Sequence, residues 1–156
     1  MLELGCSSGR HLAHLHDQGF TDLHGVELNA DAFDVMAEHY PDLAAAGTFH
    51  ATAIEDIVEE FETDAFDAVY SVETLQHVHP DASWVFAELA RITGGLLVIV
   101  ENEGDVARDG PGVNYVNDDV PLYYRDWHRV FSDLGLEQVA VESLDRDTAR
   151  AFRHPG

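Results

Sequence analysis

The stretch that decides the fold lies at the start of the chain, MLELGCSSGRHL (residues 1–12). Leu2 to Leu4 are typical of the end of a buried strand, Gly5 to Gly9 form a turn of small residues, and a helix is predicted to begin at Arg10. In such an arrangement, free backbone N–H groups and the positive end of the helix lie beside a bound ligand. The stretch therefore predicts a phosphate or cofactor loop, with a plain Gly/Ser turn as the alternative.

Strands and helices alternate along the rest of the chain. Hydrophobic spacing predicts helices at 10–18, 30–39, 54–61, 81–92 and 125–134, and strands at 23–28, 48–52, 66–71 and 96–100. Leu96 to Val100 is typical of a central parallel strand covered by helices on both faces, with Gly94 and Gly95 ending the helix before it. Strands at 136–141 and 148–152 form a closing hairpin. This order predicts a three-layer α/β domain with a mostly parallel sheet.

Length and composition predict a single domain over residues 1–156. No apolar run approaches the roughly 20 residues that cross a bilayer, and the start lacks the basic region of a signal peptide. We therefore expect a cytoplasmic protein that does not bind membranes. Cys6 is the only cysteine, which excludes an internal disulfide and a multi-cysteine metal site.

The charge of the chain is strongly negative. The 30 acidic residues outnumber 8 basic ones, all of them arginine, for a net charge of -22. Such a chain repels nucleic-acid phosphates, so duplex DNA or RNA is not expected as a partner. The acids are spread along the chain, which favours adaptation to high salt. The alternative, a basic protein partner, predicts clustered acids.

The second predicted strand carries a carboxylate at its end, Glu27, 18 residues after Gly9. A carboxylate there can accept hydrogen bonds from the ribose hydroxyls of a nucleotide cofactor. The dinucleotide pattern G-x-G-x-x-G starting at Gly5 requires glycines where Ser7 and Arg10 stand. S-adenosylmethionine carries no pyrophosphate, and the pattern it needs, an acid followed by glycines, is present as Glu3-x-Gly5-x-Ser7-x-Gly9.

On these residues the chain resembles the class I S-adenosylmethionine-dependent methyltransferases, whose first motif is E/D-x-G-x-G-x-G. Later segments, GVELNADAF, FDAVYSVETLQHV, GGLLVIVE and TARAFR, are similar to further family segments in the family's order. The resemblance implies a Rossmann-like sheet of seven strands in the order 3-2-1-4-5-7-6, with the last strand antiparallel. Family members usually carry one or two helices before the first strand, so we expect an N-terminally short domain.

The resemblance also implies a role for each cofactor-binding position. Glu27 holds the ribose, Leu28 and Ile54 flank the adenine, Glu55 or Asp56 takes the adenine amino group, and the segment from Ser71 to Glu73 faces the methionine end. The full implied set is Glu3, Gly5, Cys6, Ser7, Gly9, Glu27, Leu28, Asn29, Ile54, Glu55, Asp56, Ser71, Val72 and Glu73.

Histidines and the single cysteine offer further chemistry. His77 is a candidate general base for a hydroxyl or ammonium acceptor, and a polar contact in a loop is the favoured alternative. His79 has a weaker claim. A metal site on His11, His14 and His16 is disfavoured against a solvated helix face, and no metal is expected. Cys6 stands at a helix N-terminus, which can lower a thiol pKa, but packing is favoured over reactivity.

Four aromatic residues lie in or near the long loop predicted after the fifth strand, where the resemblance implies an acceptor pocket. They fit that pocket or the core equally, and they are Tyr115, Tyr123, Tyr124 and Trp127.

Three functions follow from these patterns. The first is a methyltransferase that uses S-adenosylmethionine on a small-molecule acceptor. The second is a non-catalytic module of the same fold, which binds the cofactor weakly or binds only a protein partner. The third, an NAD-dependent oxidoreductase, fails on the glycine spacing.

Overall fold

The computed structural model describes residues 1–104, 113–116 and 119–156. The strands are β1 (Leu2–Leu4), β2 (His24–Glu27), β3 (Thr48–Ala51), β4 (Phe66–Val72), β5 (Thr93–Glu101), β6 (Val113–Val116), β7 (Val120–Tyr123), β8 (Glu137–Ser143) and β9 (Thr148–Arg153). The helices are α1 (Arg10–Asp17), α2 (Asp31–His39), α3 (Pro41–Ala46), α4 (Ile54–Ile57), α5 (Val85–Ile92) and α6 (Trp127–Asp133). Three short 3-10 helices span Val58–Glu60, Leu75–His77 and Pro80–Ala82.

Seven strands form the central sheet in the order β3-β2-β1-β4-β5-β9-β8. Strands β1 to β5 pair in parallel, and β9 lies antiparallel between β5 and β8. β6 and β7 form a separate two-stranded sheet. With that small sheet numbered apart, the order is the predicted 3-2-1-4-5-7-6, so the predicted α/β fold class is confirmed.

Helices cover the two faces of the sheet and bury two separate clusters. One cluster packs α4, α5 and α6 against Leu2 and Leu4 of β1, with Trp127 and Phe131 at its centre. The other packs α1, α2 and α3 together through buried residues such as Leu12. Because successive residues of a strand point to opposite faces, Glu3 points away from Leu2 and Leu4 and towards α1.

The covering of β5 differs from the prediction. Leu97 and Ile99 are fully buried, but Leu96 is 36% exposed and Val98 and Val100 are only partly buried. The prediction that helices cover both faces of this strand is therefore wrong for one face. The reason is that α1, α2 and α3 pack around β1 to β3 and leave this face of β5 open.

Several predicted boundaries also shift. Gly94 and Gly95 lie inside β5 instead of ending α5, and a Cβ on Gly95 would overlap the Asp67 carbonyl. The helix predicted over 54–61 is α4 followed by a 3-10 turn, and α5 begins at Val85, after a 3-10 turn at Pro80–Ala82. The helix α3 was not predicted; it begins at Pro41, because proline is well suited to the first turn of a helix.

No helix among the described residues is long and apolar enough to cross a membrane.

Candidate active site

A cleft of about 320 Å³ lies at the carboxyl ends of β1 to β4, the position at which parallel α/β sheets bind ligands. Its β2–β3 wall consists of Val26, Glu27, Leu28, Thr52, Ala53, Ile54 and Glu55. Its β4 wall consists of Glu73, Thr74, His77 and Val78. Gly5, directly after β1, lies between the two walls, because β1 separates β2 from β4 in the sheet.

Six of the fourteen predicted cofactor residues line this cleft. The lining includes Gly5, Glu27, Leu28, Ile54, Glu55 and Glu73, together with the candidate base His77. The lining does not include Glu3, Cys6, Ser7, Gly9, Asn29, Asp56, Ser71 and Val72.

Glu27 joins the loop after β1 to the turn after β2. One carboxylate oxygen accepts a hydrogen bond from the Ser7 N–H and the other accepts one from the Asn29 N–H, both at 2.9 Å. The Asn29 side chain in turn accepts from the Asp31 N–H at 3.1 Å, at the start of α2. These bonds fix the orientation of the Glu27 carboxylate at the cleft, and each oxygen retains a lone pair for a ligand.

Four of the five N–H groups of the Gly5–Gly9 loop are not free as predicted. Those of Gly5 and Cys6 donate to the Val26 carbonyl, and that of Gly9 donates to the Cys6 carbonyl. The Ser7 N–H is taken by Glu27. This part of the prediction is wrong because the loop folds back on β2, so these amides are not available for a phosphate.

Backbone conformation explains the glycines of this loop and its one departure from the motif. Gly5 and Gly9 have φ of 66° and 82°, in the left-handed region that favours glycine. A Cβ on Gly5 would overlap the Thr74 side chain, so the loop can approach the β4 wall only with glycine there. Ser7 has φ of 47° and therefore adopts a backbone that glycine would adopt at lower cost.

Glu3 is buried on the sheet face beneath α1 and outside the cleft. Its carboxylate accepts from His11 Nδ1 at 2.8 Å and from the Tyr70 hydroxyl at 3.2 Å. Burial raises the pKa of Glu3, and the bonds to His11 and Tyr70 oppose that rise. Through these two hydrogen bonds, Glu3 connects β1 to α1 and to β4. His11 is hydrogen-bonded to Glu3. No group of metal-binding side chains occurs among the residues that the structure describes.

Cys6 is a packing residue. Its side chain is 4% exposed, and a Cβ built on Gly25 would lie 2.6 Å from the Cys6 sulfur. Burial, with the nearby carboxylates of Glu3 and Glu27, raises the pKa of the Cys6 thiol to about 12. The favoured interpretation of this cysteine is confirmed, and the alternative of a lowered thiol pKa is wrong.

The polarity of the β2–β3 wall is mixed. Leu28, directly after β2, is 74% exposed, and Ile54, at the start of α4, is 9% exposed; both line the cleft and make part of this wall apolar. Glu55 adds a carboxylate beside Ile54, whereas Asp56, one residue further, lies outside the lining.

A buried carboxylate that the sequence did not single out, Glu101, organises the β4 wall. It is fully buried at the end of β5 and accepts a hydrogen bond from the Ser71 hydroxyl at 2.5 Å. It also accepts from the N–H groups of Leu75 and Gln76, each at 3.1 Å. Burial raises the pKa of Glu101 to about 7, although these hydrogen bonds lower it. Ser71, implied as a cofactor residue, is therefore engaged in holding this wall.

Arg125, also missed, holds the other end of the same segment. Its guanidinium donates to the carbonyls of Leu75 at 3.4 Å and Val78 at 2.5 Å, and it lies 5.1 Å from the centre of the Phe86 ring. Burial lowers the pKa of Arg125, and the charge of Tyr123 and Glu101 opposes this. Glu101 thus accepts hydrogen bonds from N–H groups of the 74–78 segment, and Arg125 donates hydrogen bonds to its carbonyls.

His77 and the aromatic residues differ in what they contact. His77 Nδ1 lies 2.8 Å from the Pro121 carbonyl of β7, while His79 is exposed and lies near Asp81. Trp127 is fully buried in the core, so the core alternative holds for it. Tyr115 is 57% exposed on the β6–β7 hairpin. Most of the long loop predicted after the fifth strand, residues 105–112, lies outside the described residues.

The carboxylates in the described lining of the cleft are not balanced by basic arginine side chains. Glu27, Glu55 and Glu73 contribute carboxylates, and no arginine occurs among the described lining residues. Such a lining favours a ligand that carries positive charge and repels a pyrophosphate. The residues present therefore fit S-adenosylmethionine, with its sulfonium and ammonium groups, better than a dinucleotide.

Comparisons with known proteins agree with this geometry. The sequence model of the methyltransferase domain family matches residues 2–99. A search of curated proteins finds no match. Among solved structures, an S-adenosylmethionine-dependent methyltransferase of Mesorhizobium loti is 16% identical with a TM-score of 0.79, covering 98% of this chain and 90% of its own.

Two further structures show the same fold. A methyltransferase in complex with the Trm112 activator of Haloferax volcanii is 16% identical with a TM-score of 0.79, covering 99% of this chain and 81% of its own. The geranyl diphosphate C-methyltransferase of Streptomyces coelicolor, solved with S-adenosyl-L-homocysteine, is 16% identical with a TM-score of 0.81. The alignment covers 99% of this chain and 70% of that enzyme.

Proposed function

The chain belongs to the methyltransferase domain family, and we propose that it transfers the methyl group of S-adenosylmethionine to a small-molecule acceptor. The family match confirms the predicted cofactor and does not favour the non-catalytic module. The observation that carries the proposal is the acidic cleft at the carboxyl ends of β1 to β4, with carboxylates on both walls.

We assign the nucleoside part of the cofactor to the β2–β3 wall. Glu27 would accept hydrogen bonds from the ribose hydroxyls, because its carboxylate is already oriented by the Ser7 and Asn29 N–H groups. Leu28 and Ile54 would contact the two sides of the adenine, and Glu55 would accept from its amino group. Asp56 is the alternative acceptor, but it lies outside the lining.

We assign the methionine part to the space between Gly5 and the β4 wall. The absence of a Cβ at Gly5 allows close approach to the backbone, and Glu73 offers a carboxylate to a cationic group. Glu3, Cys6, Ser7, Gly9, Ser71 and Val72 would act by shaping this space, because their side chains lie outside the lining.

When bound, S-adenosylmethionine supplies a methyl group on a positively charged sulfur. The protein's contribution is alignment and exclusion of water, because the positive charge leaves the sulfur along this displacement and is spread over the reacting atoms in the transition state. The hairpin β6–β7 lies against the β4 wall through the His77–Pro121 contact, so the acceptor would enter beside the hairpin.

The acidic surface supports a high-salt setting for this activity. We propose that the net charge of -22 reflects adaptation to concentrated salt in the cytoplasm, where screening reduces repulsion between carboxylates. The same charge disfavours nucleic acid as the acceptor.

Calorimetry tests the proposal. The folded chain in multimolar KCl is titrated separately with S-adenosylmethionine, S-adenosylhomocysteine and NADH, and folding is checked by circular dichroism in the same buffer. We expect saturable binding of the first two ligands and none of NADH. A folded sample that binds neither methionine derivative contradicts the proposal, and binding of NADH alone would restore the oxidoreductase.

A further inference from the structure

The β4 wall holds one histidine in a fixed orientation. His77 ends the 3-10 helix Leu75–His77 and lines the cleft. The residues on either side of it are held by buried charges, since the Gln76 N–H donates to Glu101 and the Val78 carbonyl accepts from Arg125. Its backbone is therefore fixed by contacts that do not involve the histidine ring.

The ring has a defined tautomer. His77 Nδ1 lies 2.8 Å from the Pro121 carbonyl oxygen. Because a carbonyl oxygen can only accept, Nδ1 must donate, and the neutral ring then carries its unprotonated nitrogen at Nε2. Within the described part of the chain, Nε2 makes no hydrogen bond to the protein. A neutral imidazole that lines a cleft can take up a proton at its unprotonated nitrogen.

The sheet order determines which part of the cleft His77 faces. β1 lies between β2 and β4, so His77 stands across Gly5 from Glu27 and Leu28. If the nucleoside is held at the β2–β3 wall, the β4 wall borders the reacting end of the cofactor. This step rests on the proposed function.

We propose that His77 Nε2 is the general base of the methyl transfer and that the acceptor therefore reacts through an oxygen or nitrogen that bears a proton. The acceptor atom forms the new bond to the methyl carbon with its lone pair, and the carbon–sulfur bond breaks with its electrons remaining on sulfur. The acceptor proton moves to Nε2, which leaves an imidazolium whose Nδ1–H still donates to Pro121.

The charged groups nearest to His77 along the β4 wall are engaged with partners of their own. Glu73, on the same wall, is partly exposed and pairs with Arg146 at 3.2 Å. Arg125 points its guanidinium at backbone carbonyls and aromatic rings, and Glu101 is occupied by Ser71 and backbone N–H groups. The His77 ring is therefore not in an ion pair within the described part of the chain.

Nuclear magnetic resonance tests the proposal without knowledge of the acceptor. The protein is labelled with nitrogen-15, and S-adenosylmethionine carries carbon-13 in its transferable methyl group. We expect the neutral His77 ring to show a protonated Nδ1 and an unprotonated Nε2. We also expect nuclear Overhauser effects from the labelled methyl to the two ring protons that flank Nε2.

His77→Asn is the matched variant, because its amide N–H can still donate to Pro121 while no base remains. It should bind S-adenosylhomocysteine within about threefold of wild type, a difference of less than 1 kcal/mol, and should lose the methyl-to-ring signals. His79→Asn is the control and should keep them.

Two results overturn the proposal. One is a neutral ring protonated at Nε2, and the other is bound S-adenosylmethionine whose methyl shows no signal to the His77 ring. Failure of S-adenosylmethionine to bind at all contradicts the proposed function itself, and the general-base proposal is then rejected with it.

Discussion

The two walls of the cleft are built by contacts of different range. On the β2–β3 wall, Glu27 binds the Ser7 N–H 20 residues before it and the Asn29 N–H two residues after it. On the β4 wall, the hydrogen bonds join residues that are further apart in the sequence. The separation is 30 residues for Ser71–Glu101, 44 for His77–Pro121 and 47 for Val78–Arg125. The first wall is defined by local motifs, whereas the second depends on the whole carboxyl half of the chain.

This difference indicates that the two walls have different roles. The local wall carries an oriented but accessible carboxylate, suited to binding a ligand. The distant wall is held by Glu101 and Arg125, which contact backbone groups, the Ser71 hydroxyl and an aromatic ring of the protein and do not line the cleft, so they rigidify it without contacting its contents. Variants of the distant wall should therefore change stability most, and variants of the local wall should change ligand affinity most.

Glu101→Ala should give the largest effect. It leaves the Ser71 hydroxyl and several buried N–H groups without an acceptor, so we expect a loss of about 3–5 kcal/mol in the free energy of unfolding. Urea unfolding followed by circular dichroism measures this loss. Glu142→Ala, which removes an exposed carboxylate from β8, is the control and should change stability by less than about 0.5 kcal/mol. Equal losses in both variants would mean that Glu101 does not hold the β4 wall.

The pH dependence of stability should reveal the same carboxyl group. Burial raises the pKa of Glu101 from its ordinary 4.5 to about 7, so the folded chain keeps this proton to higher pH than the unfolded chain. Stability relative to Glu101→Gln should therefore fall as pH rises from about 4.5 to about 7, by up to about 3 kcal/mol. Unfolding curves of both proteins at several pH values measure the difference, and a difference that grows with pH would contradict the assigned direction.

The smallest expected effect lies in the local wall. Ser7 has φ of 47°, which costs a residue with a side chain about 1–2 kcal/mol, while glycine adds freedom to the unfolded chain. Ser7→Gly should therefore raise the free energy of unfolding by up to about 1 kcal/mol.

Ser8→Gly is the control for this loop, because Ser8 is not among the described residues with positive φ. It should lower stability by about 0.5–1 kcal/mol. Thermal unfolding of the two variants compares them directly, and a lower midpoint for Ser7→Gly than for Ser8→Gly would show that Ser7 is not strained.

The same contrast in range explains what the sequence could predict. The alternation of strands and helices, the Gly5–Gly9 loop and the position of Glu27 followed from periodicity and spacing within about 30 residues, whereas the sheet order followed from the family resemblance. Glu101 was seen only as the end of an apolar strand, and Arg125 only as the start of a helix, because nothing local shows that both bind the 74–78 segment. A carboxylate that ends a run as apolar as LLVIV was the one available signal, since such a position is buried and needs donors.

For Glu3, the sequence predicted the motif position but not the direction of the side chain. Its place in the motif was visible, but its direction was not, because the alternation along β1 turns its carboxylate to the face beneath α1. The loop N–H groups were likewise assigned to a ligand, although Val26 and Glu27 of the neighbouring strand accept from three of them. Tertiary partners, which local patterns do not specify, decided both cases.

The most direct test of this account is the affinity of Glu27→Ala for S-adenosylmethionine, measured by calorimetry in concentrated KCl beside wild type. Glu38→Ala, which removes an exposed carboxylate from α2, is the matched control, and thermal unfolding confirms that both variants are folded. We expect the dissociation constant of Glu27→Ala to rise more than about tenfold, or at least about 1.4 kcal/mol, while Glu38→Ala stays close to wild type. An unchanged affinity in folded Glu27→Ala would contradict the assignment of the cofactor to this cleft.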